Sequence, residues 1–204
     1  MLLTCQSGFE ALLARELTEL RGMPVEEKGP GWVRCVAPDI RRGEDTSSTK
    51  SDSDRKSSAP AGRDSSDSAD RAHENRPGPR AEPALVDLAF AHLGFQAPVE
   101  VRGESVNALA QRIADYFLPS LRGERIEATW PCVWSGSSEL VGLGRRISAV
   151  EAAFGELLKK KLSRVAKLAT PGLPWGVGAV RGLFVFFADF GRAYVAREAW
   201  SGGQ

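Results

Sequence analysis

The densest chemical signal in the sequence is positive charge between positions 145 and 167. Seven basic residues against two acidic ones, Glu151 and Glu156, give this stretch a balance of +5 in a chain whose net charge is +1. Cations clustered in this way suit phosphate oxygens, because each phosphate that they neutralise releases counterions. We therefore predict RNA binding by Arg145, Arg146, Lys159, Lys160, Lys161, Arg164 and Lys167.

A long amphipathic helix is predicted to hold most of these cations. Positions 148–151 read Ser-Ala-Val-Glu, a capping-box pattern, and apolar residues then recur at helical spacing to about Leu168. Lys160, Arg164 and Lys167 are four and three residues apart and would share one exposed face. The two arginines would precede the helix N-terminus, where free N–H groups attract anions. The alternative is an ordinary solvated helix whose cations favour its C-terminal half.

No grouping of residues in the sequence has the pattern of a catalytic or metal site. Asp189-Phe190-Gly191 spells a kinase tripeptide, but the catalytic and glycine-rich loops of kinases do not accompany it, so we predict a hairpin turn there. Cys5, Cys35 and Cys132 are odd in number and widely spaced, which fits neither a disulfide framework nor a zinc site. We expect no catalytic, cofactor-binding or metal-binding residue in this chain.

Composition limits the class of protein and divides the chain. With 204 residues there is room for one domain or two small ones. No apolar run approaches the length of about 18 residues that a membrane span needs, and free cysteines suit a reducing cytoplasm. Residues 41–83 contain no Val, Ile, Leu, Met, Phe, Trp, Tyr or Cys. Such a segment cannot offset the entropy cost of ordering its backbone, so we predict a disordered insertion.

The residues on either side of this insertion predict a first domain, 1–103. A strand at Met1–Cys5 is followed by a helix that the capping-box pair Ser7 and Glu10 would open. Two short strands, Val25–Glu27 and Trp32–Val36, precede the insertion. A helix over Ala84–Leu93, closed by Gly94, and a strand over Ala97–Val101 complete a βαββαβ order. This order predicts a ferredoxin-like domain.

A second α/β segment is predicted over 104–204, which makes the whole chain α+β. Asn107 would cap a helix through Phe117, and a strand is predicted over Arg125–Trp134. Leu183–Phe187 is apolar at every position, which indicates a central strand. The chain would end in a strand over Ala193–Trp200.

Both ends of the sequence resemble one known family. Cys5-Gln6-Ser7-Gly8-Phe9-Glu10 with Glu16-Leu17 resembles the opening of bacterial 23S rRNA ribose 2′-O-methyltransferases of the RlmM type. The stretches 181–187, Arg-Gly-Leu-Phe-Val-Phe-Phe, and 193–198, Ala-Tyr-Val-Ala-Arg-Glu, are similar to the hairpin that leads into the methyltransferase domain of that family. The resemblance implies a ferredoxin-like domain followed by a THUMP-like domain, which together recognise ribosomal RNA.

The resemblance also implies what this chain lacks. In that family the S-adenosylmethionine-binding domain lies beyond the point matching position 204, so no catalytic residue is carried over. We expect the chain to be inactive alone and to act with a methyltransferase domain in cis or in trans. The alternative function is a protein-interaction module without an RNA role, which would dock a partner through the C-terminal hairpin or an exposed Trp200.

Overall fold

The computed structural model describes residues 1–36, 88–172 and 179–201, and these belong to one compact unit. The predicted insertion at 41–83 lies outside the described residues. Nine strands form one mixed sheet: β1 (Leu2–Thr4), β2 (Val25–Gly29), β3 (Trp32–Cys35), β4 (Leu93–Gln96), β5 (Val99–Arg102), β6 (Trp130–Gly136), β7 (Ala169–Pro171), β8 (Val180–Phe187) and β9 (Arg192–Ser201). Four helices are described with them: α1 (Glu10–Arg21), α2 (Val106–Ser120), α3 (Leu143–Lys161) and α4 (Ser163–Leu168).

The strands follow the order β2-β3-β1-β4-β9-β8-β6-β7, and β5 pairs with β9 beside β4. β6 runs parallel to β7 and β8, whereas the other pairs are antiparallel. This mixed sheet with helices is compatible with the predicted α+β class. Since β4 and β5 both pair with β9, the sheet is continuous across position 103. The division into domains 1–103 and 104–204 stays a prediction.

The helix predicted over 84–93 is wrong where the structure describes it. Residues 88–92 form turns and irregular backbone, and strand β4 begins at Leu93. Leu93 and Phe95 are buried between β1 and β9, with Gly94 against the Trp200 ring. Pairing with strands from both ends of the chain therefore overrides the local helical pattern. Positions 84–87 lie outside the described residues.

The helix starts also differ from their predicted capping residues. Helix α2 is capped by Ser105, whose Oγ accepts a hydrogen bond from the Ala108 amide at 3.1 Å, and not by Asn107. It runs to Ser120 and includes Pro119 in its last turn. Ser7 does not cap α1, because its hydroxyl donates to Glu139. The Glu10 carboxylate does fold back, accepting from the Gly8 amide at 3.0 Å.

Two hydrophobic clusters pack helices onto the sheet. Leu13 and Leu17 of α1 lie against Leu3 and Val33. A larger cluster joins α2 and α3 to strands β5, β6, β8 and β9 through Val101, Leu109, Ile113, Phe117, Trp130, Val150, Phe154, Leu183, Val185, Phe187, Ala193 and Val195. The central position predicted for the strand at 183–187 is confirmed, because β8 lies between β6 and β9 with these residues buried.

A third cluster contains no helix residue and shows that the sheet is curved. Its rings meet across the sheet: Trp32 on β3 lies 5.4 Å from Tyr194 on β9, although β1 and β4 separate these strands. One strand further out, the Glu27 carboxylate of β2 accepts a hydrogen bond from Arg192 Nη1 at 2.7 Å. Four strand spacings in a flat sheet would put β2 about 19 Å from β9, beyond the reach of both side chains. The first four strands therefore bend toward β9.

The Glu27 carboxylate of β2 is the acceptor for two polar side chains of β9. It also accepts from the Tyr194 hydroxyl at 3.1 Å, and the Arg192 guanidinium lies over the Trp32 ring at 5.6 Å. Burial alone would raise the pKa of Glu27, but hydrogen bonds from Arg192 and Tyr194 outweigh it and hold that pKa below its ordinary value. Burial, followed by the hydrogen bond to Glu27, raises the pKa of Tyr194 to about 12.

The close packing of β4 on β9 can be tested at Gly94. A Cβ at this position would overlap the Trp200 indole ring. Gly94→Ala is therefore expected to lower the free energy of unfolding by about 1–3 kcal/mol in urea titrations. Gly144→Ala is the matched control, because a Cβ at that helical position meets nothing within 4 Å, and it should be neutral or slightly stabilising. Equal destabilisation by the two changes would contradict this packing.

The Glu27 contact predicts a pH-dependent contribution to stability. Since the folded-state pKa of Glu27 is below its unfolded value of about 4.3, the contribution is present above that pH and is lost as pH falls through the folded-state pKa. The difference in free energy of unfolding between the wild type and Glu27→Gln should be constant above about pH 5 and shrink toward pH 3. Urea titrations across this range measure it, and a difference independent of pH would refute the contact.

Candidate nucleic-acid interface

The predicted helix over 148–168 is wrong at its start and in its middle, whereas its predicted end agrees with the end of α4 at Leu168. Helix α3 begins five residues earlier, at Leu143, whose side chain is buried at 1% exposure in the core with α2. Ser148 lies inside the helix and donates its hydroxyl to the Gly144 carbonyl at 3.1 Å. At Leu162 the backbone leaves the helical region, with φ −142° and ψ 70°, and this residue separates α3 from α4. Lys160 therefore does not share one continuous helix with the cations of α4.

A hydrogen bond from β6 and the pairing of the strand that follows α4 hold α4 in place. The Trp130 indole Nε1 donates to the Val165 carbonyl at 2.9 Å, and the Trp130 ring stacks on Phe117 at 5.1 Å. Strand β7, directly after α4, pairs in parallel with β6, and the Thr170 hydroxyl donates to the Trp130 carbonyl at 3.1 Å. The segment from 163 to 171 is thus fixed along the β6 edge of the sheet.

Five of the seven predicted cations gather where α3 ends and α4 begins. We call this group the basic junction; it comprises Lys159, Lys160, Lys161, Arg164 and Lys167, all exposed. Lys159 Nζ pairs with Glu156 at 2.8 Å, and both side chains of this pair are well exposed. Within the part of the chain that the structure describes, no carboxylate pairs with the other four.

Two arginines at the β8–β9 pair are matched by a carboxylate. Arg181 and Arg197 share Glu124, at 2.6 Å and 3.0 Å. Arg197 is also over the Phe117 ring, and burial lowers the pKa of its guanidinium. The charges of Arg181 and Arg197 are therefore neutralised within the fold, whereas the four unpaired cations of the basic junction can bind an anionic ligand.

The remaining two predicted cations lie apart from the junction. Arg145 and Arg146 occupy the first turn of α3 and do not precede it. Arg146 is half-buried, and its Nη2 donates to the Glu104 carbonyl at 2.6 Å, whereas Arg145 is exposed. At 1.5 Å per residue, Arg145 and Lys159 are about 21 Å apart along α3. RNA binding by any of the seven residues stays a prediction.

Two cavities border the basic junction. One, of about 420 Å³, lies between α2 and α3 and is lined by Asn107, Gln111, Ala153, Glu156, Leu157 and Lys160. The other, of about 210 Å³, is bounded by α3, α4, β6 and β7. Sequence patterns gave no sign of the second cavity, because its walls come from four elements that meet only in the fold.

The cysteine thiols do not form a reactive centre in this structure. Burial raises the pKa of Cys132, Cys35 and Cys5 to about 11, with the Glu10 charge adding to the shift at Cys5. The thiols are therefore protonated at neutral pH, and a protonated thiol is a poor nucleophile. Among residues 1–36, 88–172 and 179–201, no three His, Cys, Asp or Glu side chains are grouped to hold a metal ion.

One of the two surfaces expected for the alternative, protein-docking function is not exposed. Trp200 is 7% exposed and packs against Gly94, so the prediction of an exposed Trp200 is wrong. The edges of β8 are occupied by β6 and β9, and the second edge of β9 is occupied by β4 and β5.

No described helix has the length and apolarity to cross a membrane.

Comparisons with known proteins give structural likenesses of low identity. No family model matches the chain, and no curated protein matches it. A possible methylase from Clostridium difficile 630 superposes with a TM-score of 0.46 at 15% identity, covering 97% of this chain and 40% of that one. A protein from Pyrococcus horikoshii Ot3 superposes with a TM-score of 0.49 at 13% identity, covering 98% and 55%.

A third likeness is to a "predicted N6-adenine-specific DNA methylase" from Listeria monocytogenes str. 4b F2365, with a TM-score of 0.40, 14% identity and coverage of 95% and 38%. This chain thus spans between 38% and 55% of the length of these three proteins. Two of the three are named as methylases.

Proposed function

We propose that this chain is the RNA-recognition portion of an S-adenosylmethionine-dependent rRNA ribose 2′-O-methyltransferase, and that it binds structured rRNA through the basic junction. The observation that carries the proposal concerns four cations of the basic junction, Lys160, Lys161, Arg164 and Lys167. All four are exposed, they lie within eight consecutive positions of the chain, and no carboxylate among the described residues pairs with them. Cations that lie close together without carboxylate partners repel one another, and an anionic ligand that neutralises them removes this repulsion.

The position of these cations suits a phosphate backbone. Helix α4 is fixed by the Trp130–Val165 hydrogen bond, so Arg164 and Lys167 lie on an ordered surface and not on a loose loop. Structured RNA is read mainly through its shape and its phosphates, because its deep major groove excludes side chains. A fixed group of cations along the edge of a sheet can contact successive phosphates without reading the bases.

Features of the first part of the sheet support the ferredoxin-like assignment. Strands β2-β3-β1-β4 are adjacent in that order and all antiparallel, which is the sheet order of a ferredoxin-like fold. The opening motif at Cys5–Glu10 and the stretches 181–187 and 193–198 resemble the RlmM-type family in sequence. The THUMP-like assignment of the residues after 103, the rRNA target and the cytoplasmic location are parts of the same proposal. Cofactor binding and catalysis are assigned to a methyltransferase domain in cis or in trans.

The proposal predicts that charge reversal at the basic junction weakens RNA binding. Lys160→Glu combined with Lys167→Glu should reduce affinity for a structured 23S rRNA fragment at least about tenfold near 0.1 M salt. It should also make the negative slope of log K against log salt shallower by about 1–2, because each lost phosphate contact reduces the magnitude of that slope by roughly 0.7–0.9. Fluorescence anisotropy over a salt series measures both quantities.

Lys28→Glu combined with Arg15→Glu is the control, since it makes the same change in charge at exposed positions on β2 and α1. The control should bind as the wild type does, apart from a small general loss at low salt. Equal losses for the two double variants would show that only net charge matters, and unchanged binding by the junction variant would refute the proposed interface.

A further inference from the structure

We propose that the cavity of about 210 Å³ between α3, α4, β6 and β7 takes an unpaired nucleobase of the RNA that the basic junction holds. We call this cavity the aromatic pocket. The inference rests on the proposed function and adds to it, because a phosphate-binding surface alone would not distinguish paired from unpaired RNA. The pocket supplies a place for a base that has left the helical stack.

The walls of the pocket suit a flat aromatic ring. Trp134 of β6 and the buried Phe154 of α3 both line the pocket, with ring centroids 5.5 Å apart and ring planes at 60°. Ala166, Ala169 and Pro171 line the pocket from α4 and β7, and these short side chains leave room beside the Trp134 ring. The Trp134 indole is fixed by a hydrogen bond from its Nε1 to Cys132 Sγ at 3.2 Å. Base stacking on such rings is tolerant of base identity.

The charges at the pocket determine which part of a nucleotide enters it. Glu151 and Lys159 both line the cavity, and the Lys159 ammonium pairs with Glu156 at 2.8 Å. A carboxylate repels phosphate, but it accepts hydrogen bonds from the exocyclic amines of adenine, cytosine and guanine. The phosphate therefore belongs with the cations, and the base belongs inside beside Glu151.

The basic junction and the aromatic pocket adjoin each other in the chain. Lys159 belongs to both the pocket and the basic junction, and Ala166, on the pocket wall, lies between Arg164 and Lys167 in the chain. We therefore assign the phosphates that flank the bound base to the basic junction. The predicted ligand class is an unpaired, amino-bearing nucleobase within a structured RNA.

Gly155 offers a way to close the pocket without damaging the fold. It lines the cavity from the middle of α3, and a Cβ there meets nothing within 4 Å. Gly155→Leu adds a side chain on the cavity side of the helix and replaces a poor helix former with a good one. Gly144→Leu is the matched control, because it lies in the same helix, also faces open space and does not line the pocket.

The test uses hairpins that differ only at one bulged position, which carries guanosine, uridine or an abasic ribose. Anisotropy titrations compare the wild type, Gly155→Leu and Gly144→Leu, after urea unfolding has shown that all three fold. The wild type and Gly144→Leu should bind the guanosine bulge about tenfold more tightly than the abasic bulge. Gly155→Leu should bind both hairpins equally, with the wild-type affinity for the abasic one.

Glu151→Gln provides a second variant at an exposed position, where folding is not at risk. It should reduce the preference of the wild type for guanosine over uridine, while the preference for uridine over the abasic ribose remains. Retention of the full guanosine preference by both Gly155→Leu and Glu151→Gln would overturn the pocket.

The outcomes separate this inference from the function on which it rests. If the wild type binds all three hairpins equally, with a salt dependence that the basic junction variant lowers, the pocket is wrong and the proposed function stands. If the wild type binds none of the hairpins, both are wrong.

Discussion

Strand β9 is the constraint on which the rest of the structure depends. One of its edges pairs with β8, and the other pairs with β5 at its start and with β4 at its end. Its side chains also serve two cores, since Val195 packs with α2 and α3 while Tyr194 packs with Trp32. A strand near the C-terminal end of the chain thus completes the sheet that the first residues begin. The Glu27–Arg192 hydrogen bond joins β2, the outermost of the first four strands, to β9.

The candidate RNA-binding surface follows from the same sheet. β8 pairs with β6, and β6 in turn holds β7 by parallel pairing and α4 by the Trp130 indole. Because α4 must meet Trp130, the chain leaves the helical path at Leu162 and starts a second short helix. This break brings cations from two helices together and opens a cavity between them. The surface is therefore made by the edge of the sheet and not by the face of one long helix.

Sequence patterns predicted secondary structure correctly where it depends on neighbouring residues. They predicted it wrongly where a segment pairs with strands that are distant in the chain. The apolar run at 183–187 identified a buried central strand, and the charge count identified the residues of the basic junction. The helix prediction was wrong over 88–93 because β1 and β9, about ninety residues or more away in the chain, pair with Leu93–Gln96 as a strand. Ser148 has the pattern of a cap, but burial of Leu143 starts the helix earlier. The aromatic pocket could not be foreseen, since Trp134 and Ala166 meet only through parallel pairing of β6 and β7.

The central claim is that the basic junction contacts RNA, and lysine footprinting tests it most directly. The full chain is treated with a low dose of an acetylating reagent, with and without a structured 23S rRNA fragment, and the modified lysines are quantified by mass spectrometry. We predict that bound RNA slows acetylation of Lys160, Lys161 and Lys167 several-fold, while Lys28 on β2 reacts at its free rate. Equal rates at these three lysines with and without bound RNA, or protection of Lys28 alone, would contradict the account.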